Sequence, residues 1–259
     1  MGDLVALLTD FGGQDWFVSA MKAVVRSINP QCQIVDITHQ IPPQDVRTGA
    51  YVLAQVFRDL PAGTVVVAVV DPGVGAERSA IAGEIDGRFV VAPDNGLVSW
   101  CLAEARYARF VRLDRPEFFR KEVSHTFHGR DIFAPVAAHL SAGRKLVELG
   151  SPCSSVQTFA VPRPSYSSEE KLVRGEVVHV DRFGNLITNL PNRFLDECSA
   201  ILLERRKLRI VGTYAEGKKG EPVALPGSGG TVEIAAREAP AERIVGARVG
   251  NQVVLKLGR

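Results

Sequence analysis

Three acidic residues directly follow predicted strands, and this placement favours a polar ligand site. They are Asp10 after residues 5–9, Asp71 after residues 64–70, and Asp94 shortly after residues 88–92. In open α/β sheets ligands bind beyond the carboxyl ends of the strands, so the three carboxylates are expected to share one crevice. Turn chemistry and helix capping are the alternative explanation for each acid taken singly.

Two glycine-containing loops follow the first two of these acids. Gly12-Gly13 and residues 73–75 could approach a phosphate through their backbone N–H groups. The chain has no GxxxxGK[ST] motif, and the first loop lacks the third glycine of the dinucleotide pattern. Close approach to another ligand, or a tight turn, explains these glycines equally well.

A dense polar segment, HTFHGRD at residues 125–131, precedes a predicted helix. His125 and His128 with Asp131 could form half of a metal site, but no Glu or Cys completes a familiar ligand set. A catalytic or binding histidine is therefore favoured over a metal ligand. The remaining histidines, His39, His139 and His179, are expected to be packed or on the surface.

The elements that must position these residues alternate between strand-length apolar runs and segments of helical period. Strands are expected at residues 5–9, 33–38, 64–70, 79–85 and 88–92, and helices at 16–28, 46–60, 96–106 and 131–140. Asp86-Gly87 between the last two strands is a strong hairpin signal. The pattern predicts an N-terminal three-layer α/β domain with a largely parallel sheet over residues 1–160.

A stretch rich in proline and serine ends this pattern, and we expect a linker at residues 161–170. Beyond it, short strand-like segments are separated by glycine, proline and charge. They cover residues 172–180, 185–189, 207–211, 231–236 and 252–257. Residues 171–259 are therefore expected to form a smaller C-terminal antiparallel β-barrel domain.

Composition narrows the classes of function. The 259 residues carry 31 basic and 29 acidic side chains, a net charge of +2, which disfavours a nucleic-acid binder. The longest apolar run, residues 65–70, is far short of the roughly 20 residues of a membrane helix. Four widely spaced cysteines without a CxxC pair predict reduced thiols, a cytoplasmic protein and no zinc site.

Six motifs in order resemble one known family. They are LLTDFG (7–12), DITH (36–39), DPGVG (71–75), APDNG (92–96), TFHGRD (126–131) and DRFGNLITN (181–189). The chain resembles the S-adenosyl-L-methionine hydrolases that form adenosine, also called SAM hydroxide adenosyltransferases, which are related to the fluorinase and chlorinase enzymes. The likeness extends over nearly the whole chain.

The resemblance implies a reaction and an assembly. Water or hydroxide would attack the 5′ carbon of S-adenosylmethionine and release adenosine and methionine, with no cofactor and no metal. The assembly would be a homotrimer whose active sites lie between the first domain of one subunit and the second domain of its neighbour, without nucleic-acid or membrane partners. Halide-dependent 5′-halogenation and a non-catalytic binding module for adenosine or S-adenosylmethionine are the alternatives.

The resemblance also implies roles for particular residues. Asp71, Arg78 and His128 would handle the water, and either Asp71 or His128 could be the base. Substrate contacts fall on Asp71, Asp10 (ribose), Asp15 and Asp181 (ammonium), Asn185 (adenine), and Ser228 and Glu233 in the late loop and strand. Apart from the resemblance, the apolar Phe127 beside His128 is placed to contact the substrate and exclude bulk water. From the residues alone, Asp71 and Arg78 could instead form a loop salt bridge, and His128 could cap the following helix.

Two departures from the fluorinase pattern favour water over halide. His128-Gly129 stands where the fluorinase has Tyr-Ser, and Asp71 stands where it has Tyr. Residues 237–240 also depart from the expected pattern, so no adenine contact is assigned beyond residue 236.

Overall fold

The central sheet of the first unit carries helices on both of its faces. In the computed structural model, which describes residues 4–258, the chain divides into two units between Val161 and Pro162. The first unit contains strands β1 (Leu4–Thr9), β2 (Gln33–Thr38), β3 (Val65–Val69), β4 (Ala80–Ile85), β5 (Arg88–Pro93), β6 (Ala108–Arg112) and β7 (Ser151–Cys153).

These strands form one sheet in the order β2-β1-β3-β5-β4-β6-β7. The pairings β1–β2, β1–β3 and β3–β5 are parallel. The pairings β4–β5, β4–β6 and β6–β7 are antiparallel. The predicted α/β class is confirmed, and the sheet is mixed because β4 and β7 run opposite to the other five strands.

The helices of this unit are α1 (Phe17–Ile28), α2 (Val46–Phe57), α3 (Ser99–Ala103) and α4 (Ala134–Ser141). Alternate residues of β1 enter different cores. Val5 and Leu7 pack in the cluster that includes residues of α1 and α4, and Ala6 and Leu8 pack in the cluster that includes residues of α2 and α3. A strand buried on both faces is the signature of three layers.

The sequence locates the elements better than it locates their ends. Helix α1 ends at Ile28, directly before the predicted stop at Asn29-Pro30. The helix predicted at 96–106 shrinks to Ser99–Ala103, and the helix predicted at 131–140 begins earlier, as a π turn over Gly129–Phe133 that continues into α4. Asp86 and Gly87 both have positive φ (46° and 79°), as a type I′ hairpin turn requires.

The second unit is a closed barrel. Its strands are β8 (Ser165–Ser167), β9 (Leu172–Val180), β10 (Leu186–Pro191), β11 (Cys198–Leu203), β12 (Arg206–Ile210), β13 (Pro222–Pro226), β14 (Thr231–Ala236) and β15 (Gln252–Leu257), with helix α5 (Ala241–Val245). Seven of them form the ring β9-β10-β14-β13-β12-β11-β15, which closes because β9 pairs with both β10 and β15.

Two details of this unit depart from expectation. The β12–β13 pairing is parallel, whereas the other ring pairings are antiparallel. Within the predicted linker at 161–170, β8 pairs with β9. Across residues 4–258, none of the helices has the length and apolar character needed to cross a membrane.

Candidate active site

A cleft of about 390 Å³ lies at the carboxyl ends of β1 and β3. This volume falls within the roughly 300–1,000 Å³ typical of small-molecule sites. Its walls include Asp10, Phe11, Phe17, Asp71, Phe127 and His128. Carboxylates and aromatic rings therefore face the same space.

Asp71 and Arg78 form a buried, two-point ion pair at this cleft. Arg78 Nε donates to Asp71 Oδ1 at 2.9 Å, and Arg78 Nη2 donates to Asp71 Oδ2. The side chain of Arg78 is only 10% exposed, and that of Asp71 only 5%. The fork geometry fixes the guanidinium in one orientation, so this pair is not the exposed loop salt bridge that the residues alone also allowed.

His128 completes the arrangement through its Nδ1 atom, which lies 2.9 Å from Arg78 Nη2. A guanidinium can only donate, so Nδ1 accepts and the neutral ring carries its hydrogen on Nε2. Burial, together with the positive charge of Arg78, lowers the pKa of His128 below its ordinary 6.5. The imidazole is therefore neutral at neutral pH, with Nε2–H as a hydrogen-bond donor.

Gly75 explains how the loop after β3 reaches the histidine segment. Its φ is +79°, and a Cβ at this position would lie 2.5 Å from the carbonyl oxygen of His125. Only glycine allows both this backbone conformation and this approach. The close packing of the two loops brings Arg78 and His128, 50 residues apart in the chain, into contact.

Three phenylalanines form an aromatic wall beside these polar groups. The ring centroid of Phe127 lies 5.8 Å from that of Phe11 and 5.1 Å from that of Phe17, both in edge-on geometry. A Cβ at position 129 would lie 3.2 Å from Met21 Sδ and from Phe127, and 3.3 Å from Phe11. Gly129 therefore lets the turn after His128 press against the rings.

Asp131 supports this segment from outside the cleft. Its side chain is fully buried and accepts hydrogen bonds from Arg130 Nε at 2.6 Å and from the Ser124 backbone at 2.9 Å. Burial acts to raise the pKa of Asp131, but these hydrogen bonds outweigh it and bring the pKa to about 2. Asp131 thus fixes the loop that carries His128.

Two residues of the possible half metal site, His128 and Asp131, each contact an arginine. His128 Nδ1 faces the guanidinium of Arg78, so that nitrogen is not available to a cation. In the part of the chain that the structure describes, no group of three or more His, Cys, Asp or Glu side chains is arranged to hold a metal ion.

The expectation that three carboxylates share one crevice holds for two of them. Asp10 and Asp71 both line the cleft, but Asp94 does not. The Asp94 carboxylate instead accepts from the Gln157 backbone at 2.6 Å, a tertiary contact between residues 63 apart in the chain. In the first glycine loop, the Gly12 N–H is not available to a phosphate, because it donates to the His39 carbonyl at 2.7 Å.

Asp10 is anchored at one oxygen. Its Oδ2 accepts from the Gln44 backbone at 2.8 Å, and Gln44 adopts an uncommon positive φ of 67°. Asp15, which was assigned to the substrate ammonium, is exposed and does not line this cleft.

The remaining candidate residues lie in the second unit. Asp181 and Asn185 hold each other in the turn between β9 and β10. Asp181 Oδ1 accepts from the backbones of Phe183 (2.9 Å) and Asn185 (2.8 Å), and its Oδ2 accepts from Asn185 Nδ2 at 3.0 Å. Ser228 is exposed in the turn between β13 and β14.

Glu233 on β14 is buried and has a partner that sequence reasoning missed. Tyr214 Oη donates to Glu233 Oε1 at 2.5 Å. Burial and the nearby charge of Asp181 raise the pKa of Glu233, although the hydrogen bond from Tyr214 opposes this. Tyr214 lies 19 residues earlier in a segment of neither helical nor strand period, so no local signal could have revealed the pair.

Comparison with known proteins gives a consistent result over the whole chain. Residues 5–150 match the model of the SAM hydroxide adenosyltransferase N-terminal domain, and residues 175–254 match that of the C-terminal domain. The chain is 39% identical to a Thermus thermophilus protein named (R)-S-adenosyl-L-methionine hydrolase, over 97% of this chain and 98% of that one. It is 37% identical to a protein of the same name from Salinispora tropica, over 98% of each chain.

More distant and structural matches agree with this. A fluorinase from an Actinoplanes species is 29% identical over 92% of each chain. The crystal structure of an uncharacterised conserved protein from Thermotoga maritima superposes with a TM-score of 0.89 at 34% identity, covering 98% of this chain and all of the other.

Proposed function

The chain belongs to the SAM hydroxide adenosyltransferase family, and from this membership we propose that it is an enzyme that hydrolyses S-adenosyl-L-methionine to adenosine and L-methionine. Relatives named as hydrolases of this substrate are 35–39% identical, whereas the Actinoplanes fluorinase is 29% identical. The observation that supports the chemistry is the contact of one guanidinium with both Asp71 and His128 at the edge of the cleft.

Asp71 accepts the proton of the attacking water in this proposal. The neutral His128 has its Nδ1 occupied by Arg78 and a hydrogen on Nε2, so the ring has no lone pair to offer the water. Asp71 lines the cleft, and each carboxylate oxygen has a second acceptor site beyond the bond to Arg78. His128 Nε2–H then orients the water oxygen, and Arg78 holds Asp71 and His128 in place.

The reaction needs little else from the protein. The water oxygen forms a bond to C5′, the C5′–S bond breaks, and its electron pair leaves with sulfur as the neutral thioether of methionine. The proton of the water passes to Asp71 and then to solvent. Since the leaving group is uncharged, no general acid is required at sulfur, and positioning dominates. We propose no cofactor and no metal ion.

The other assignments belong to the same proposal. Asp10 receives the ribose hydroxyls, because one of its oxygens is anchored and the other has no protein partner among the described residues. The aromatic wall around Phe127 excludes bulk water. Asp15, Asp181, Asn185, Ser228 and Glu233 contact the amino-acid and adenine ends of the substrate.

The assembly and location are proposed on the same basis. The family resemblance supports a homotrimer with active sites at subunit interfaces. The four cysteines of the described residues are all thiols, which supports a cytoplasmic location.

Halogenation is less well supported. A serine in place of Gly129 would need space for at least a Cβ, which would lie only 3.2 Å from Met21 Sδ and Phe127. The serine that the fluorinase pattern has at this position therefore does not fit beside these rings unless they move.

The decisive experiment is incubation in ¹⁸O-labelled water with each sulfonium epimer of S-adenosylmethionine, followed by mass spectrometry of the nucleoside. We expect adenosine labelled at the 5′ oxygen, at a rate that chloride and fluoride do not change. A halogenated nucleoside would support halide-dependent 5′-halogenation instead. Tight binding by calorimetry with no product over hours would support a binding module and contradict the proposal.

A further inference from the structure

A chain of polar contacts runs from the surface to the Asp10 loop, and it involves a histidine that no catalytic role explains. His39 follows β2 and is 12% exposed, and its Nδ1 lies 2.9 Å from Thr9 Oγ1. Thr9, the last residue of β1, is fully buried. Its Oγ1 also accepts from the Phe11 backbone at 3.2 Å.

The other side of the His39 ring faces a charged pair. Its buried Nε2 lies 3.1 Å from Asp36 Oδ1, and Lys22 Nζ donates to Asp36 Oδ2 at 2.6 Å. Burial acts to raise the pKa of Asp36, but Lys22 and His39 outweigh it and lower the pKa, so the carboxylate is ionised at neutral pH.

These contacts set the direction of the hydrogen bonds that link His39, Thr9 and Phe11. Among the contacts of the described residues, His39 Nδ1 is the one acceptor within reach of the buried Thr9 hydroxyl hydrogen, so that hydroxyl donates to Nδ1. The ring hydrogen then lies on Nε2, which faces Asp36 Oδ1 at 3.1 Å without the angle of a hydrogen bond. Because that proton is committed, Thr9 Oγ1 presents a lone pair to the Phe11 N–H.

The segment fixed in this way is the one that carries Asp10. Phe11 is tied to the Thr9 side chain, and Gly12 donates to the His39 carbonyl at 2.7 Å. Asp10, which lies between Thr9 and Phe11 in the chain, lines the cleft. A hydrogen-bond network around a substrate-contacting group sets its orientation within the tolerance that catalysis needs.

We propose that His39, which lies beside Asp36 and acts through Thr9, is a positioning residue that orients Asp10 toward the ribose hydroxyls of the substrate. This inference rests on the proposed function for the identity of the ligand. It also explains why two histidines near the cleft differ in role: His128 faces the reacting atoms, and His39 holds the backbone behind them.

The test compares kcat/KM for S-adenosylmethionine with kcat/KM for 2′,3′-dideoxyadenosyl-methionine, an analogue that lacks both ribose hydroxyls. The wild type is expected to favour the natural substrate in kcat/KM by about 10- to 100-fold, the range of a hydrogen bond to a charged group. His39→Ala and the near-isosteric Thr9→Val should each reduce this preference by about tenfold through slower turnover of the natural substrate, with under about threefold change for the analogue. The double variant should lose no more than either single variant, since the two residues act in series.

Conservative variants separate this route from a general structural role. Asparagine at position 39 can place its amide oxygen near the Nδ1 position, so His39→Asn should restore much of the preference. Glutamine reaches the Nε2 position, so His39→Gln should not. His139→Ala, which removes a half-buried histidine of α4 elsewhere in the unit, is the matched control and should leave the preference unchanged.

The possible outcomes are distinct. Folded His39 and Thr9 variants that keep the wild-type preference, or that slow both substrates equally, would overturn the positioning role. Rescue by glutamine but not by asparagine would also overturn it. If the wild type releases no adenosine, the proposed function fails. The inference is then judged by calorimetry alone, from the preference for adenosine over 2′,3′-dideoxyadenosine in the same variants.

Discussion

Replacing Asp71 by asparagine tests which residue takes the proton. Asparagine keeps the size of the side chain and one acceptor for Arg78, but it cannot accept the proton of water. Loss of a positioned general base typically slows catalysis by about 10²–10⁴-fold. We therefore expect kcat for adenosine release to fall by that amount in Asp71→Asn, with little change in substrate affinity.

The structure also predicts a cost in stability that must be separated from the loss of rate. Arg78 is only 10% exposed and would lose its countercharge. Removal of one partner from a buried pair costs about 3–5 kcal/mol, against a total stability of about 5–15 kcal/mol for native proteins. The variant should remain folded with a lower Tm, which circular dichroism measures directly.

The matched variant is His128→Asn. Its amide oxygen can replace Nδ1 as the acceptor for Arg78, and only the Nε2–H donor is lost. We expect about a tenfold decrease in kcat, the effect of one hydrogen bond. Formate should partly restore activity to Asp71→Ala and not to His128→Ala.

The opposite ranking would refute the reasoning. If Asp71→Asn keeps kcat within tenfold of the wild type while His128→Asn loses about a thousandfold, the imidazole is the base. The tautomer that Arg78 imposes in the resting structure would then not be the reactive one.

Three further predictions follow from the surroundings of the site. Because burial and Arg78 lower the pKa of His128, kcat/KM should be constant at neutral pH and fall only as the pH drops below 6.5, where the protonated ring would meet the guanidinium; a pH–rate profile checks this. Gly129→Ser should destabilise the protein by about 1–3 kcal/mol through overpacking and yield no halogenated nucleoside in chloride, as Tm and product analysis will show. Asp131→Asn should cost about 1–3 kcal/mol at pH 7. The stability that Asp131 contributes is present above its unfolded pKa of 3.8 and is lost as the pH falls toward its folded pKa of about 2, so urea titrations of variant and wild type should converge near pH 2.

Local signals in the sequence were sufficient for much of the fold. Asn29-Pro30 ends α1, and Asp86-Gly87 makes the hairpin turn, because each acts on its own backbone. Strand β6 was missed because only Val111 of its five residues is buried, which leaves no clear alternation. Strand β13 was missed because it begins and ends with proline, which usually marks a turn.

The site residues also divide into those with a local sequence signal and those without one. The acids after β1 and β3 were predicted from the strand pattern, and Asp10 and Asp71 do line the cleft together. The same pattern included Asp94, whose carboxylate instead binds the distant Gln157 backbone, because an acid after a strand can serve a ligand or a tertiary hydrogen bond. The contact between Arg78 and His128 and the pair of Tyr214 with Glu233 are tertiary contacts, and residue spacing alone cannot specify them.

The charge of the substrate explains why the histidine beside the nucleophile should be neutral. S-adenosylmethionine carries a positive sulfonium next to the carbon that reacts, so a second positive charge at the cleft would oppose its binding. Among the described residues that line the cleft, Asp10 and Asp71 are charged, and none is lysine or arginine. The charge of Arg78 is balanced by Asp71 at short range, and the same guanidinium keeps the pKa of His128 low. Arg78 can thus fix the two groups that face the water without making the cleft repel a cation, a task that a protonated histidine in the same place could not perform.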